Sequence, residues 1–165
     1  MTRRFDPVGA LRVLNEHAVR FIIVGGFAGT VWGSPSITID LDICYERSAA
    51  NCEALARALR VLGATLRGAP ANLPFQLDAR TILMGDSFTF DTSAGSLDCL
   101  GTPMGTKGYP DLLASAREVE IEAGLSALIC SLDDLVRMKR AAGRPKDLIA
   151  VEILMTVKEE RERNS

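Results

Sequence analysis

The chain has 165 residues and a mass of 17.8 kDa, which is about the size of one domain. Hydrophobic residues make up 47% of it and charged residues 24%, so the composition is that of a protein with a sizeable core, which excludes a disordered chain. The formal net charge of -2 excludes an evenly basic surface that coats nucleic acid, although a local basic patch is compatible with it.

Short segments and residue counts exclude several further classes of protein and of metal site. The longest strongly apolar run, residues 21–24, is far shorter than the roughly 20 residues of a membrane helix. No secretory signal is recognisable, so we expect a cytoplasmic protein with no membrane partner. The four cysteines are too far apart for a zinc ribbon and are predicted to be reduced core residues. Because there is one histidine, any metal is expected to be bound by oxygen atoms.

The first part of the chain predicts a helix, a strand and a glycine turn in succession. Asp6-Pro7 is typical of a helix start, with Asp as the N-cap residue and Pro in the first turn. Residues 21–24 predict a buried strand, and Gly25-Gly26 separates it from a helical segment over residues 27–32. Residues 37–43 alternate strictly between apolar and polar side chains, which predicts a strand with Ile and Leu on one face.

The rest of the chain predicts a hairpin followed by a mainly helical end. Ser48 is typical of an N-cap, and leucines at helical spacing predict a helix to about residue 62, followed by a loop over residues 63–74. The further predicted elements are a hairpin of strands 87–92 and 96–100, a short helix over 110–117, a strand pair at 119–121 and 125–130, and helices over 131–142 and 145–160.

Two carboxylates lie on one face of the predicted strand at residues 37–43. Asp40 and Asp42 are two residues apart, which places both on the same side of a strand. Like charges side by side repel, so this arrangement is unfavourable unless a cation such as Mg²⁺ or Mn²⁺ offsets it. Asp98 lies on a later predicted strand, and a third carboxylate is what a two-metal site for phosphoryl transfer needs. The alternative is an amphipathic strand with a solvated polar face.

The diglycine Gly25-Gly26 is a candidate phosphate site. Glycine lets backbone N–H groups approach a phosphate closely, and the N-terminus of the following helix favours negative charge. The alternative is a turn with no ligand. The spacing of a dinucleotide-binding motif is absent here, and no P-loop motif occurs in the chain, so dehydrogenases and P-loop enzymes are excluded.

Together these residues resemble the active-site signature of the nucleotidyltransferase superfamily, whose fold is shared with DNA polymerase beta. The match consists of Gly25-Gly26, thirteen intervening residues, Asp40-Leu41-Asp42 and the later Asp98. In minimal bacterial members the first carboxylates often lie in an R-x-T-x-D-x-D stretch. Residues 36–42 match that stretch, including Thr38, except that Ser36 replaces the Arg.

The C-terminal part resembles one group within that superfamily. Residues 134–147 are similar to the Lys, Arg and Lys-Asp segment of the AbiEii and MenT-type nucleotidyltransferase toxins. The resemblance implies that Lys139 contacts the triphosphate and that Asp147 is an orienting carboxylate. Arg144 is suited to contact phosphates bidentately. The alternative for this basic stretch is a solvated helix end.

The superfamily resemblance implies a mixed α/β (α+β) fold, with a small central sheet flanked by helices. It implies one domain over residues 1–165, with a catalytic core in 1–130 and C-terminal helices in 131–165 closing a nucleotide cleft. The expected reaction transfers a nucleoside monophosphate from an NTP to an acceptor hydroxyl. The residues with expected roles are Asp40 and Asp42 for both metals, Asp98 for the catalytic metal and the acceptor proton, and Gly25, Gly26, Thr38, Lys139, Arg144 and Asp147 for the nucleotide.

The acceptor is left open by the sequence. Resemblance to the MenT-type toxins suggests the 3′ end of tRNA or another RNA, with a pyrimidine triphosphate as donor and a cognate antitoxin as partner. Proteins and small molecules are alternative acceptors for the same core. A further alternative is a fold that has lost turnover and serves as an antitoxin or interaction protein. The three aspartates favour the enzyme, whereas Ser36 in place of Arg favours the non-catalytic protein.

Overall fold

The structure is a computed structural model that describes residues 4–70, 72 and 75–165. Within these residues the strands are β1 (Phe21–Val24), β2 (Asp40–Tyr45), β3 (Thr65–Leu66), β4 (Ser87–Thr92), β5 (Gly95–Leu100), β6 (Arg117–Glu122) and β7 (Leu125–Ile129). The helices in the same part of the chain are α1 (Pro7–Glu16), α2 (Gly25–Trp32), α3 (Ala49–Val61), α4 (Ala79–Met84), α5 (Tyr109–Leu113), α6 (Leu132–Ala142) and α7 (Pro145–Arg163).

The strands form one mixed sheet in the order β3-β4-β5-β2-β1-β7-β6. Strand β2 lies near its centre, antiparallel to β1 and parallel to β5. The predicted hairpin is formed by β4 and β5, and the predicted strand pair after it by β6 and β7. This is the mixed α/β architecture that the sequence predicts, with helices flanking a central sheet.

Three of the seven described helices begin at an N-cap that the sequence predicts. The side chain of Asp6 accepts a hydrogen bond from the Gly9 N–H (3.0 Å), and Ser48 and Ser131 cap α3 and α6 in the same way. The final helix α7 continues to Arg163, three residues beyond the predicted end, so the charged C-terminal segment is helical. Strand β3 lies inside the segment predicted as a loop, of which residues 71, 73 and 74 lie outside the described residues.

The strand predicted over residues 37–43 is displaced along the chain. Strand β2 begins at Asp40, where pairing with Ser96 of β5 begins. The two preceding isoleucines, predicted to face the core, are exposed: Ile37 by 94% and Ile39 by 70%. The segment before Asp40 alternates in sequence but has no neighbouring strand, so nothing buries these side chains. Thr38 therefore lies in the connection to β2.

The hydrophobic core lies on both faces of the sheet around β1 and β2. All four side chains of β1 are buried, and the four cysteines are buried with free thiols. The buried side chain of Asn51 in α3 forms hydrogen bonds with the backbone next to β1 and β2. It accepts from the Arg20 N–H (2.7 Å) and donates to the Arg20 and Glu46 carbonyls. No described helix is both long and apolar enough to cross a membrane.

The ladder register decides which side chains share the face of the functional residues. Val24 of β1 is paired with Asp42 of β2, Asp42 with Asp98 of β5, and Asp98 with Thr89 of β4. Directly paired residues lie on the same face of a sheet. A row of side chains on one face of the sheet therefore crosses β1, β2, β5 and β4. It consists of Val24, Asp42, Asp98 and Thr89.

Candidate active site

The centre of the site is the pair of carboxylates at Asp42 and Asp98. They are register partners on adjacent parallel strands, and the Asp98 side chain is 22% exposed. Burial, followed by the charge of Asp98 and a hydrogen bond between the two carboxyl groups, raises the pKa of Asp42 to about 7. Asp40 raises that pKa further by repulsion, whereas Lys139 lowers it. Metal-free Asp42 therefore holds a proton well above the usual range of an aspartate.

Gly25 is required by the closeness of α2 to this pair. A Cβ atom at Gly25 would overlap the Asp42 carboxylate oxygen Oδ2, and the Gly25 φ of +70° is in the left-handed region that favours glycine. Gly26 allows a second close approach, since its Cβ would lie 3.0 Å from Thr38 Oγ1. The diglycine thus brings the first turn of α2 against the acidic residues.

The first turn of α2 has no side-chain cap. Val24 occupies the N-cap position and accepts no hydrogen bond through its side chain. The first N–H groups of a helix have no partner within the helix, and the helix dipole adds partial positive charge there. This helix end can therefore bind a negatively charged group beside Asp42.

A basic cluster faces the carboxylates from the C-terminal helices. The Asp147 side chain is 1% exposed and lies in the first turn of α7. Arg144 Nε donates to it at 2.6 Å, the Arg144 backbone N–H donates at 3.2 Å, and Lys139 Nζ lies 3.5 Å away. The hydrogen bonds from Arg144, followed by the charge of Lys139, hold the pKa of Asp147 below its usual range despite its burial. One buried carboxylate thus positions two cations.

A cleft of about 240 Å³ joins the acidic and basic groups. Six residues predicted from the sequence line it: Gly25, Asp42, Asp98, Lys139, Arg144 and Asp147. The apolar part of its wall is formed by Val24, Leu100, Pro103, Met104, Leu135, Met138 and Ala142. Three other predicted site residues, Asp40, Gly26 and Thr38, are outside this lining. Thr38 Oγ1 instead donates a hydrogen bond to the Asp40 carbonyl (3.1 Å), which shapes the entry to β2.

The oxygen atoms at this site are suited to a divalent cation of the Mg²⁺ type. Asp42 and Asp98 provide adjacent carboxylate oxygens, and burial followed by the charge of Asp98 raises the pKa of Asp42, so a cation that offsets this charge would be favoured. Among the described residues, no three His, Cys, Asp or Glu side chains form a ready-made metal cluster. The donor chemistry therefore fits a cation bound at Asp42 and Asp98.

Arg67 is a site residue that the sequence analysis did not identify. It follows β3, and its guanidinium donates to Asp98 Oδ1 (3.0 Å), to Asp91 Oδ1 (3.3 Å) and to the Phe90 carbonyl (3.1 Å). The segment around it is rich in Gly, Ala and Pro and predicts only a loop. No local pattern reveals Arg67, because its role depends on the pairing of β3 with β4.

Comparison with solved structures identifies the fold. A lincomycin-bound lincosamide antibiotic adenylyltransferase, LnuA, superposes with a TM-score of 0.62 at 12% identity, covering 92% of this chain and 95% of that one. The antibiotic-resistance factor ANT(2'')-Ia superposes with a TM-score of 0.54 at 13% identity, covering 94% and 88%. A Thermotoga maritima protein provisionally assigned as a nucleotidyltransferase has a TM-score of 0.50 at 15% identity, covering 97% of each chain.

The chain therefore has the nucleotidyltransferase fold along nearly its whole length, as the sequence resemblance implies. No family model matches its sequence, and no curated protein is significantly similar to it. At these identities the likeness identifies the fold alone, so the chemistry has to be argued from the cleft.

The contact between Gly25 and Asp42 predicts a specific defect. Gly25→Ala costs about 1–2 kcal/mol for its left-handed backbone and also displaces the Asp42 carboxylate. We expect a lower melting temperature and Mn²⁺ binding weakened about tenfold or more in calorimetry. Gly63→Ala is the matched control, because Gly63 has a φ of +62° and no atom within 4 Å of an added Cβ. Equal loss of Mn²⁺ affinity in both variants would contradict the proposed contact.

The raised pKa of Asp42 predicts pH-dependent metal binding. A protonated carboxyl cannot serve as a metal ligand, so protons compete with the metal below a pH of about 7. We expect the apparent Mn²⁺ affinity to rise about tenfold from about pH 6 to about pH 8, as one proton with that pKa is lost. Calorimetry at several pH values measures this, and Asp42→Asn should remove the dependence. A flat profile for the unmodified protein would be inconsistent with the shared proton.

Proposed function

We propose that the protein is a metal-dependent nucleotidyltransferase that transfers a nucleoside monophosphate from an NTP to an acceptor hydroxyl. The observation that supports this most directly is the charge arrangement of one cleft, with Asp42 and Asp98 on one side and Lys139 and Arg144 on the other. A metal-bound triphosphate carries both kinds of charge, so it is complementary to both walls. The fold shared with LnuA and ANT(2'')-Ia supports the same chemistry.

The nucleotide phosphates would bind between α2 and the basic cluster. The N–H groups of Gly25 and Gly26 would approach one phosphate, and Lys139, positioned by Asp147, would contact another. Arg144 borders the same cleft and would contact the triphosphate bidentately. The α-phosphorus would then lie near Asp42.

The transfer requires one bond formed and one broken at the α-phosphorus. The acceptor oxygen forms a bond to that atom, and the bond to the bridging oxygen of pyrophosphate breaks, with the electron pair leaving on pyrophosphate. The hydroxyl proton passes to the Asp98 carboxylate, which lies beside Asp42. Divalent cations held by Asp42 and Asp98, with Asp40 as a further ligand, would neutralise charge on the phosphates and on the attacking oxygen.

We infer that the acceptor is a small polar molecule. The basic stretch at residues 134–147 does not form a continuous run of unpaired cations that could follow an RNA backbone. Three of its five cations form ion pairs, with Arg137 bound by Asp111 and Asp134, and with Lys139 and Arg144 bound by Asp147. Two structures that share the fold over 88% or more of each chain are named for antibiotics, which agrees with a small acceptor.

A second candidate is the tRNA 3′ end, with the protein as the toxin of a toxin–antitoxin pair. The observation that favours it is the contact of Lys139 with Asp147, the two residues that the MenT-type resemblance selects. In that case a cognate antitoxin protein would be a further partner. Two alternatives remain. Transfer of label to protein would indicate a protein acceptor, and transfer to no acceptor would indicate a non-catalytic antitoxin.

One assay tests the transfer and separates the acceptors. We expect purified protein with Mg²⁺ and α-³²P-labelled NTPs to label one fraction among small-molecule extract, total tRNA and cell protein. Asp42→Asn and Lys139→Met should each lower the rate by about 100-fold or more, because each removes charge stabilisation from the transition state. The controls are Asp133→Asn and Lys158→Met, which remove a paired carboxylate and cation outside the cleft. Transfer that survives Asp42→Asn would contradict the proposed function.

A further inference from the structure

We propose that Arg67 is a built-in counter-ion of the acidic pair and competes with the divalent cation for Asp98. This inference rests on the proposed function, since it concerns the cation which that function requires. A guanidinium cannot lose its proton in a protein, so its positive charge is permanent. The protein therefore carries its own substitute for part of the metal charge.

The geometry supports this role for Arg67. Its guanidinium lies 3.0 Å from Asp98 Oδ1, and both side chains are only partly exposed, by 34% and 22%. Asp98 is the register partner of Asp42, so the guanidinium contacts a carboxylate that would also bind the cation. The second oxygen of Asp98 is open to a cation, but the positive charges of the cation and of Arg67 repel each other across one carboxylate. Cation binding at Asp98 therefore favours withdrawal of Arg67.

Asp91 provides a second position for the Arg67 side chain. Arg67 Nε already lies 3.3 Å from Asp91 Oδ1, and the Asp91 side chain is 48% exposed. The backbone of Arg67 is held separately, because its N–H donates to the Thr89 carbonyl at 2.9 Å. The guanidinium can thus leave Asp98 for Asp91 by rotation of the side chain alone. Asp91 lowers the free energy of that withdrawal by keeping one ion pair intact.

The arrangement explains how the acidic residues coexist without metal. Asp42, Asp98 and Asp40 would otherwise face each other with little compensation, as the raised pKa of Asp42 indicates. Arg67 neutralises one of these charges in the metal-free protein. Because the same contact opposes the cation, the metal-free state gains stability and metal affinity is correspondingly reduced.

The test compares Mn²⁺ binding to the full chain and its variants by calorimetry at about pH 8. Arg67→Gln should tighten Mn²⁺ binding by about tenfold, since it removes a unit charge that repels a divalent ion a few ångströms away. Arg20→Gln is the matched control, because it removes the same charge from an exposed ion pair with Glu46 away from the cleft, and it should leave Mn²⁺ binding unchanged. Unchanged or weaker binding in Arg67→Gln would overturn the proposal.

A double-mutant cycle tests the role of Asp91. Asp91→Asn should weaken Mn²⁺ binding in the unmodified protein, because Arg67 then has Asp98 as its remaining carboxylate partner. The same substitution should have a clearly smaller effect in the Arg67→Gln background. An equal effect in both backgrounds would mean that Asp91 acts on the metal by its charge alone, which would overturn the two-position arrangement.

Melting temperatures and the transfer assay separate this proposal from the proposed function. In EDTA, Arg67→Gln should melt at a lower temperature than the unmodified protein, and Mg²⁺ should reduce the difference. If Arg67→Gln binds Mn²⁺ more tightly than the unmodified protein but no acceptor is labelled, the proposed function fails and the counter-ion role stands. If label is transferred and Arg67→Gln binds Mn²⁺ no more tightly, the counter-ion role alone fails. Absence of Mn²⁺ binding in all variants would overturn both.

Discussion

The repulsion between Asp42 and Asp98 is the constraint on which the rest of the site depends. Pairing of two central parallel strands fixes these carboxylates side by side, and partial burial prevents water from separating their charges. The backbones of Asp42 and Asp98 cannot separate unless the pairing of β2 with β5 is broken. The protein therefore compensates with nearby positive charge, from Arg67 on one side and from Lys139 on the other.

The fold brings one compensating group to each member of the acidic pair. Strand β4 and the turn after β3 bring Arg67 to Asp98, while α6 brings Lys139 towards Asp42. Lys139 is itself shared with the buried Asp147, so the acidic and basic groups form a chain of alternating charge across the cleft. The metal-bound triphosphate that we propose as substrate would replace some of these contacts within the protein.

The sequence predicted most of the fold and the charged residues of the cleft, but not its apolar wall. Caps, periodicity and glycine spacing are short-range signals, and they identified the hairpin, the described helices other than α4, and Gly25, Asp42 and Asp98 of the cleft. The resemblance to a known superfamily, and not a local pattern, selected Lys139, Arg144 and Asp147. The start of β2 was misplaced, because alternation describes side chains and cannot show that a neighbouring strand is lacking. Arg67 was missed for a related reason: Asp91 and Asp98 are 24 and 31 residues away in sequence. Such a contact exists only after strand pairing.

The cleft is lined by residues that lie far apart in the sequence, from Val24 to Asp147. One end of the cleft is formed by residues 24–25, its acidic centre by β2 and β5, and its basic wall by α6 and the start of α7. Removing the C-terminal helices would leave the acidic pair without Lys139 and would open the cleft to water, which weakens every charge interaction in it. The C-terminal helices therefore contribute to the chemistry of the acidic pair as directly as to the packing of the sheet.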